Sequence, residues 1–121
     1  MRPTVTTISL PVLIGVLALG WLAAAQAGNL DAGLEVHKGS CLKCHGETGK
    51  GDGPTSKLLK DKPADWTNKE SMSKYSDSQL VQIIKEGGAA SGKSKLMPAF
   101  GGKLNDQQIN DVIAYVRSLQ E

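Results

Sequence analysis

The sequence predicts an all-α domain of three main helices joined by long loops. Three observations carry that prediction. Apolar residues recur at i, i+3, i+4 spacing in three separate segments, and no segment shows the apolar–polar alternation of a strand. Residues 46–75 are rich in Gly, Lys, Asp, Pro and Ser, which reads as one long loop. Residues 28–121 are also poor in core formers, with nine Leu, four Ile, four Val and one Phe among 94 residues, about 19 per cent. That lies just under the ~20 per cent level associated with disorder. The high net charge that accompanies disorder is missing, because 13 basic residues there face 12 acidic ones, a formal charge of +1. The segment reads as one small folded domain lacking part of its core.

The elements follow in chain order. Residues 1–27 have the pattern of a secretory signal peptide: Arg2 as the positive start, an apolar run from Ile8 to Ala24, and Ala25-Gln26-Ala27 as a small-residue cleavage site. The alternative is an uncleaved anchor, since the run approaches the ~20 residues that span a bilayer. The first helix is expected over Asp31–Ser40, with Asp31 as N-cap and Leu30, Leu34 and His37 on one face. The loop from Gly46 to Tyr75 holds at most one helical turn, at Ser56–Leu59. A loop of that length in a small domain either has a function, such as wrapping a cofactor, or contains an element that its pattern does not announce. The second helix begins after Tyr75, where Ser76 and Gln79 form a capping-box pattern, carries Leu80, Ile83 and Ile84 as its stripe, and stops at Gly87-Gly88. Residues 89–95 read as a small basic loop. The third helix has Asn105 as N-cap and a stripe of Ile109, Val112, Ile113, Val116 and Leu119, with Arg117 near its C-terminus, where the helix dipole favours a cation.

The run Cys41-Leu42-Lys43-Cys44-His45 is the attachment pattern of a c-type haem. Two thiols one turn apart can add to the two vinyl groups of one flat macrocycle. The adjacent imidazole then reaches the iron as proximal ligand. Other readings of a Cys-x-x-Cys fit less well. A thioredoxin-like redox pair is expected beside a βαβ pattern, which is missing. A zinc site needs four protein ligands, and the chain offers only His37 as a second His and no third Cys. A disulfide between Cys41 and Cys44 would close too short a loop to stabilise much. The export pattern agrees with the haem reading, because covalent attachment takes place outside the cytoplasm. A single haem also supplies the missing core: burial of its apolar plate stabilises at roughly 25 cal/mol per Å².

A six-coordinate haem needs a distal ligand, and the mature segment offers Met72, Met97 and His37. Met97 is the best placed. It follows a Gly-rich loop and precedes Pro98, which restricts it to extended conformations and lowers the entropy lost on coordination. Met72 sits in a polar stretch and reads as a partly buried loop side chain. His37 lies four residues before Cys41, on the proximal side, and reads as a packing residue.

Over residues 28–121 the chain resembles the class I monohaem c-type cytochromes of the small bacterial kind. The matching residues are Gly33, Cys41 to Gly46, the glycines through Gly53, Pro54, Pro63-Ala64-Asp65, Leu80, Ile83-Ile84, Gly87 and Met97-Pro98-Ala99-Phe100. The ending Leu104, Ile109, Val112 and Ala114 to Leu119 also matches. The resemblance implies a cytochrome c fold in which the first and last helices cross, with Gly33 allowing close approach and Tyr115 packing there. It implies one covalent haem c on Cys41 and Cys44, with His45 and Met97 as axial ligands. It implies that the Pro54 carbonyl accepts the His45 ring N–H. Trp66 either donates its indole N–H to a haem propionate or packs in the core. One departure is His37, which stands where the family usually has Tyr or Phe; it either loosens the helix crossing or stacks on Tyr115.

The expected function is one-electron transfer in the periplasm by a monomer that meets redox partners briefly and weakly. Lysines 43, 57, 60, 62, 93, 95 and 103 are candidates for steering acidic partners. Two alternatives are a haem-based gas-binding sensor, if Met97 leaves the iron, and a cytochrome subunit of a larger oxidoreductase, tethered to the membrane if residues 8–25 are retained. No nucleophile–base pair suggests an enzyme. The nearly balanced charge and few aromatics speak against nucleic-acid binding.

Overall fold

The structure is a computed structural model that describes Met1 and residues 27–120. The signal or anchor expected over residues 1–27 falls almost wholly outside the described residues.

The described residues form α-helices and no strand: α1 (Leu30–Val36), α2 (Leu42–His45), α3 (Lys69–Met72), α4 (Asp77–Ala90) and α5 (Asp106–Ser118). A π-helical turn, His37–Cys41, joins α1 to α2, and a 3-10 turn, Pro54–Leu58, follows the motif. The first predicted helix is therefore present but not uniform. Its cap is Asn29 instead of Asp31: Asn29 has the extended dihedrals of a cap, and its side chain accepts the Ala32 N–H at 3.0 Å. Asp31 lies in the first turn, where a negative charge suits the dipole. Of the predicted apolar face, Leu30 is exposed, Leu34 is half-buried and His37 is fully buried.

Helices α1 and α5 cross closely. A Cβ on Gly33 would run into the Asp111 carbonyl and lie 2.8 Å from the Tyr115 Cβ, so only glycine permits this approach. The buried Asp111 carboxylate is satisfied at the same crossing, by the Asn29 N–H and the Gln107 side-chain amide, both at 2.8 Å. The buried apolar residues are Trp66, Met72 and the α5 stripe Ile109, Val112, Ile113 and Val116.

The long loop carries more structure than predicted. Its 3-10 turn begins two residues earlier, at Pro54, which suits a first helical position. Helix α3 was not foreseen, because Lys-Glu-Ser-Met has no apolar stripe; it forms through the Asn68 cap, which accepts the Ser71 N–H at 2.8 Å. Met72 ends α3 and is core, only 2 % exposed, which corrects its reading as a partly buried loop side chain.

The other two helices start where predicted. Ser76 with Gln79, and Asn105 with Gln108, form complete capping boxes. Regular helical geometry in α4 stops at Gly87, whose φ of 82° and ψ of 171° lie outside helical space; one further turn, Gly88–Ala90, replaces the start of the predicted loop. Arg117 does more than face the dipole. It pairs with Asp77 at 2.9 Å and donates to the carbonyls of Met72 and Tyr75, tying the end of α5 to the α3–α4 connection. A second pair, Lys85 with Asp106 at 2.7 Å, ties α4 to the start of α5.

Candidate haem site

The loops and helices enclose an apolar cavity of about 480 Å³. Cys41, Cys44 and His45 line it, together with Met97 and Pro98. The apolar stripe of α4 (Leu80, Ile83, Ile84), together with Phe100 and the α5 residues Ile113 and Val116, completes the walls. Residues up to 75 positions apart in sequence thus meet where a flat apolar group would sit.

The motif is delivered by the π-helical turn and α2. The Leu42 N–H reaches back to the His37 carbonyl, which sets the thiols of Cys41 and Cys44 on the cavity wall. Both cysteines are free. Burial, and secondarily Cys44, pushes the Cys41 thiol up to about 11. Among the described residues no group of three or more His, Cys, Asp or Glu is placed to hold a metal ion, so the zinc reading has no donor set.

His45 stacks on Trp66, ring centroids 4.0 Å apart and 22° between planes. Burial first, and repulsion from His37 second, pushes its pKa down to about 4, against a small opposing effect of the Ala64 carbonyl. The ring is therefore neutral at pH 7, the form that binds a metal. Its Nδ1 is buried without a hydrogen-bond partner. Buried polar atoms are normally paired, so this nitrogen calls for an acceptor. The Pro54 carbonyl does not bond to it in this ring position; Pro54 opens the 3-10 turn that lies beside α2, where Gly53 donates to the Cys44 carbonyl at 3.2 Å. Trp66 is buried against His45 and Met72.

Met97 is held by its backbone. Its carbonyl accepts the Gly88 N–H at 3.0 Å, and its N–H donates to the Ser94 carbonyl at 3.3 Å. Phe100 and Gly101 then bond to the carbonyls of Ile84 and Lys85, at 2.9 and 3.1 Å. The segment after Gly92 is thus laced along the end of α4. The Gly87-Gly88 pair, read from sequence only as a helix stop, is the cradle for it: a Cβ on Gly87 would sit 2.9 Å from the Met97 carbonyl, and one on Gly88 would strike the Ser94 carbonyl.

Sequence reasoning missed some of the site. Tyr75 and Met72 line the cavity, and Lys93 donates to the Tyr75 hydroxyl at 2.6 Å while lying 4.4 Å over its ring. These contacts join residues 18 apart across α4, and no local pattern announces them. His37 packs against Tyr115, the neighbour expected for it, with the rings tilted by 37° and not stacked, centroids 5.3 Å apart, and it meets Trp66 edge-on at 5.5 Å.

The donor set and cavity fit a porphyrin. Two thiols, a neutral imidazole and a methionine line one apolar space, and the imidazole has one ring nitrogen awaiting an acceptor. The fold and site together define a small all-α domain of the c-type cytochrome class. Sequence and structure comparisons agree. A family profile for cytochrome c matches residues 30–120, and the chain belongs to that family, which carries a covalently attached haem c. The chain is 33 % identical over 93 residues to cytochrome c6 of Thermosynechococcus vestitus, covering 77 % of this chain and 72 % of that one. Among solved structures it resembles cytochrome c6 of the diatom Phaeodactylum tricornutum, with a TM-score of 0.52 and 25 % identity, covering 75 % and 93 % of the two chains. It also resembles a component of the Kuenenia stuttgartiensis reducing HAO-like protein complex, with a TM-score of 0.62 and 28 % identity, covering 76 % of this chain and 44 % of that one.

Proposed function

We propose that this chain is a periplasmic one-electron carrier whose haem iron is bound by His45 and Met97. The observation that carries this reading is the convergence of Cys41, Cys44, His45 and Met97 on one apolar cavity. When bound, the haem supplies a reversible Fe(III)/Fe(II) couple. The protein does the rest. Cys41 and Cys44 fix the macrocycle covalently. The buried, neutral His45 offers a lone pair, and its unpartnered Nδ1 leaves a donor for which the Pro54 carbonyl is the candidate acceptor. The Gly88 and Ser94 contacts hold Met97 before any ligand binds, so little entropy is lost on coordination. The apolar α4 stripe excludes water, which together with His/Met ligation raises the reduction potential. With both axial positions filled, the chain acts as a carrier and not as an enzyme. Lysines 43, 62 and 93 on the cavity lining favour brief docking with acidic redox partners.

Periplasmic placement rests on the export pattern of residues 1–27, with residues 28–121 as the mature domain. Among the described residues no helix is long and apolar enough to cross a membrane. The likeness to a component of a multi-chain complex supports a second reading, a cytochrome subunit of a larger oxidoreductase. The mass of the native protein, alone and in its purified assembly, separates the two.

The test of the ligand set is visible absorption of the matured, oxidised protein. A weak band toward the red end reports the iron–sulfur bond of a methionine ligand. Met97→Ala should abolish it and Met72→Ala should keep it. Rapid binding of CO by the reduced wild type would instead show an open distal site and favour the gas sensor.

A further inference from the structure

His37 has no explanation in the carrier reading. It is fully buried, with 0 % exposure, and neither of its ring nitrogens has a hydrogen-bond partner. A phenyl or phenol ring would fill the same space between Trp66 and Tyr115 without leaving two polar atoms unpaired. Packing alone therefore does not account for an imidazole here. What the imidazole adds is a site for a proton. That site lies close to the proposed iron ligand: His37 meets the Trp66 ring edge-on, and the same ring stacks on His45.

We propose that His37 is a proton-binding residue coupled to the haem, binding its proton more tightly when the haem is reduced, so that reduction draws in a fraction of a proton from solvent and oxidation releases it. This rests on the carrier reading. The electron comes from a one-electron donor; the proton comes from hydronium or a protonated buffer, whose bond to it breaks as the N–H bond of His37 forms, and it returns to solvent on oxidation. The coupling is electrostatic. Oxidised iron carries one more positive charge than reduced iron, and that charge repels a proton on His37. For unit charges about 10 Å apart at an effective dielectric near 20, proton affinity differs roughly tenfold between the two states.

The groups around His37 leave it free to respond. On its own helix, Lys38 and Glu35 pair with each other at 2.9 Å on the exposed face. On α5, Tyr115 packs against the His37 ring, and Asp111, one turn earlier, is occupied by Asn29 and Gln107. The segment after the motif offers the carbonyls of Gly46 and Glu47, which favour the charged ring without reaching hydrogen-bond geometry, and His45 stands beyond Trp66. Burial outweighs these and lowers the pKa of His37 below its ordinary 6.5, so the coupling falls on the acid side of neutrality.

The test uses the matured holoprotein. Midpoint potentials are measured from pH 4.5 to 8.5 for wild type, His37→Phe and His37→Tyr, and the His37 ring resonances are followed by NMR in both oxidation states. The expected result is a tenfold tighter proton in the reduced state. The wild-type potential then falls by about 59 mV in all as pH rises through that window, the one-electron equivalent of a factor of ten, and both variants lose this component. Superimposable wild-type and variant profiles overturn the proposal. So does a His37 ring that titrates identically in both states, or in neither; the NMR arm decides on wild type alone if the variants fail to fold. An absence of any reversible one-electron couple would instead remove the carrier reading beneath it.

Discussion

Gly88→Ala tests whether the glycine pair exists to seat the methionine segment. Gly88 donates to the Met97 carbonyl at 3.0 Å and accepts the Lys93 N–H at 2.7 Å. An added Cβ would strike the Ser94 carbonyl and lie 3.2 Å from the Met97 Cβ, so the Ser94–Met97 segment has to move outward. Overpacking of this kind costs about 1–3 kcal/mol. Weakening the Gly88–Met97 bond adds about 0.5–1.5 kcal/mol. Alanine is the better helix former by up to about 1 kcal/mol, which offsets part because Gly88–Ala90 is a helical turn. The net expectation is about 1–3 kcal/mol of lost stability. It is read from urea unfolding of the holoprotein, together with loss or shift of the methionine–iron band. Gly102→Ala is the control, since nothing lies within 4 Å of its would-be Cβ; it should stay within about 0.5 kcal/mol of wild type. A Gly88→Ala protein as stable as the control, with its band unchanged, would refute the cradle.

The remaining expectations concern the frame around the cavity. Arg117→Met removes two charge-assisted bonds to carbonyls and should cost about 1.5–3 kcal/mol in urea unfolding, whereas Asp77→Asn removes only an exposed partner and should cost less than about 1 kcal/mol; equal losses would mean that the ion pair dominates. Met72→Ala opens the core below α5 and should cost about 2–5 kcal/mol, and a loss under 1 kcal/mol would mean that Met72 is not core in solution. Acid should destabilise the protein through His37: its folded pKa lies below 6.5, so the unfolded chain binds the extra proton, and stability present above pH 6.5 is lost as pH falls toward the folded pKa. The urea midpoint should drop between pH 7.5 and 5 by less in His37→Phe than in wild type, and equal drops would exclude His37 as the cause.

Most of the site was legible in the sequence because its chemistry is local. Cys41, Cys44 and His45 sit within one helical turn, and Met97 is marked by the proline after it, so each needs only its neighbours to be read. The capping boxes at Ser76 and Asn105 are local for the same reason. What escaped is non-local. Arg117 finds its partners 40 to 45 residues away. Lys93 reaches Tyr75 across α4. Met72 is core because α5 lies over it, although its own surroundings in sequence are polar. Helix α3 is one turn long and held by a cap, and one turn cannot display a period. The π-helical turn at His37–Cys41 has no pattern of its own either; it widens the helix where the motif must face the cavity.

The scarcity of core residues and the position of the α4 stripe have one cause. Leu80, Ile83 and Ile84 have the spacing of a core-facing helix, yet all three are only half-buried, because the space in front of them is the cavity. The α5 stripe differs along its length: Ile109 and Val112 are buried among protein atoms, whereas Ile113 and Val116 also line the cavity. An amphipathic helix gains its stability by burying its stripe, since propensity alone holds a ten-residue helix only marginally. Helix α4 therefore lacks its main stabilising contact until an apolar group occupies the cavity. The same group would cover Met97 and give His45 its iron. The residues that complete the fold and those that carry the chemistry share one surface, so a bound cofactor would add apolar contact to the α4 stripe beside a methionine segment that backbone bonds already hold.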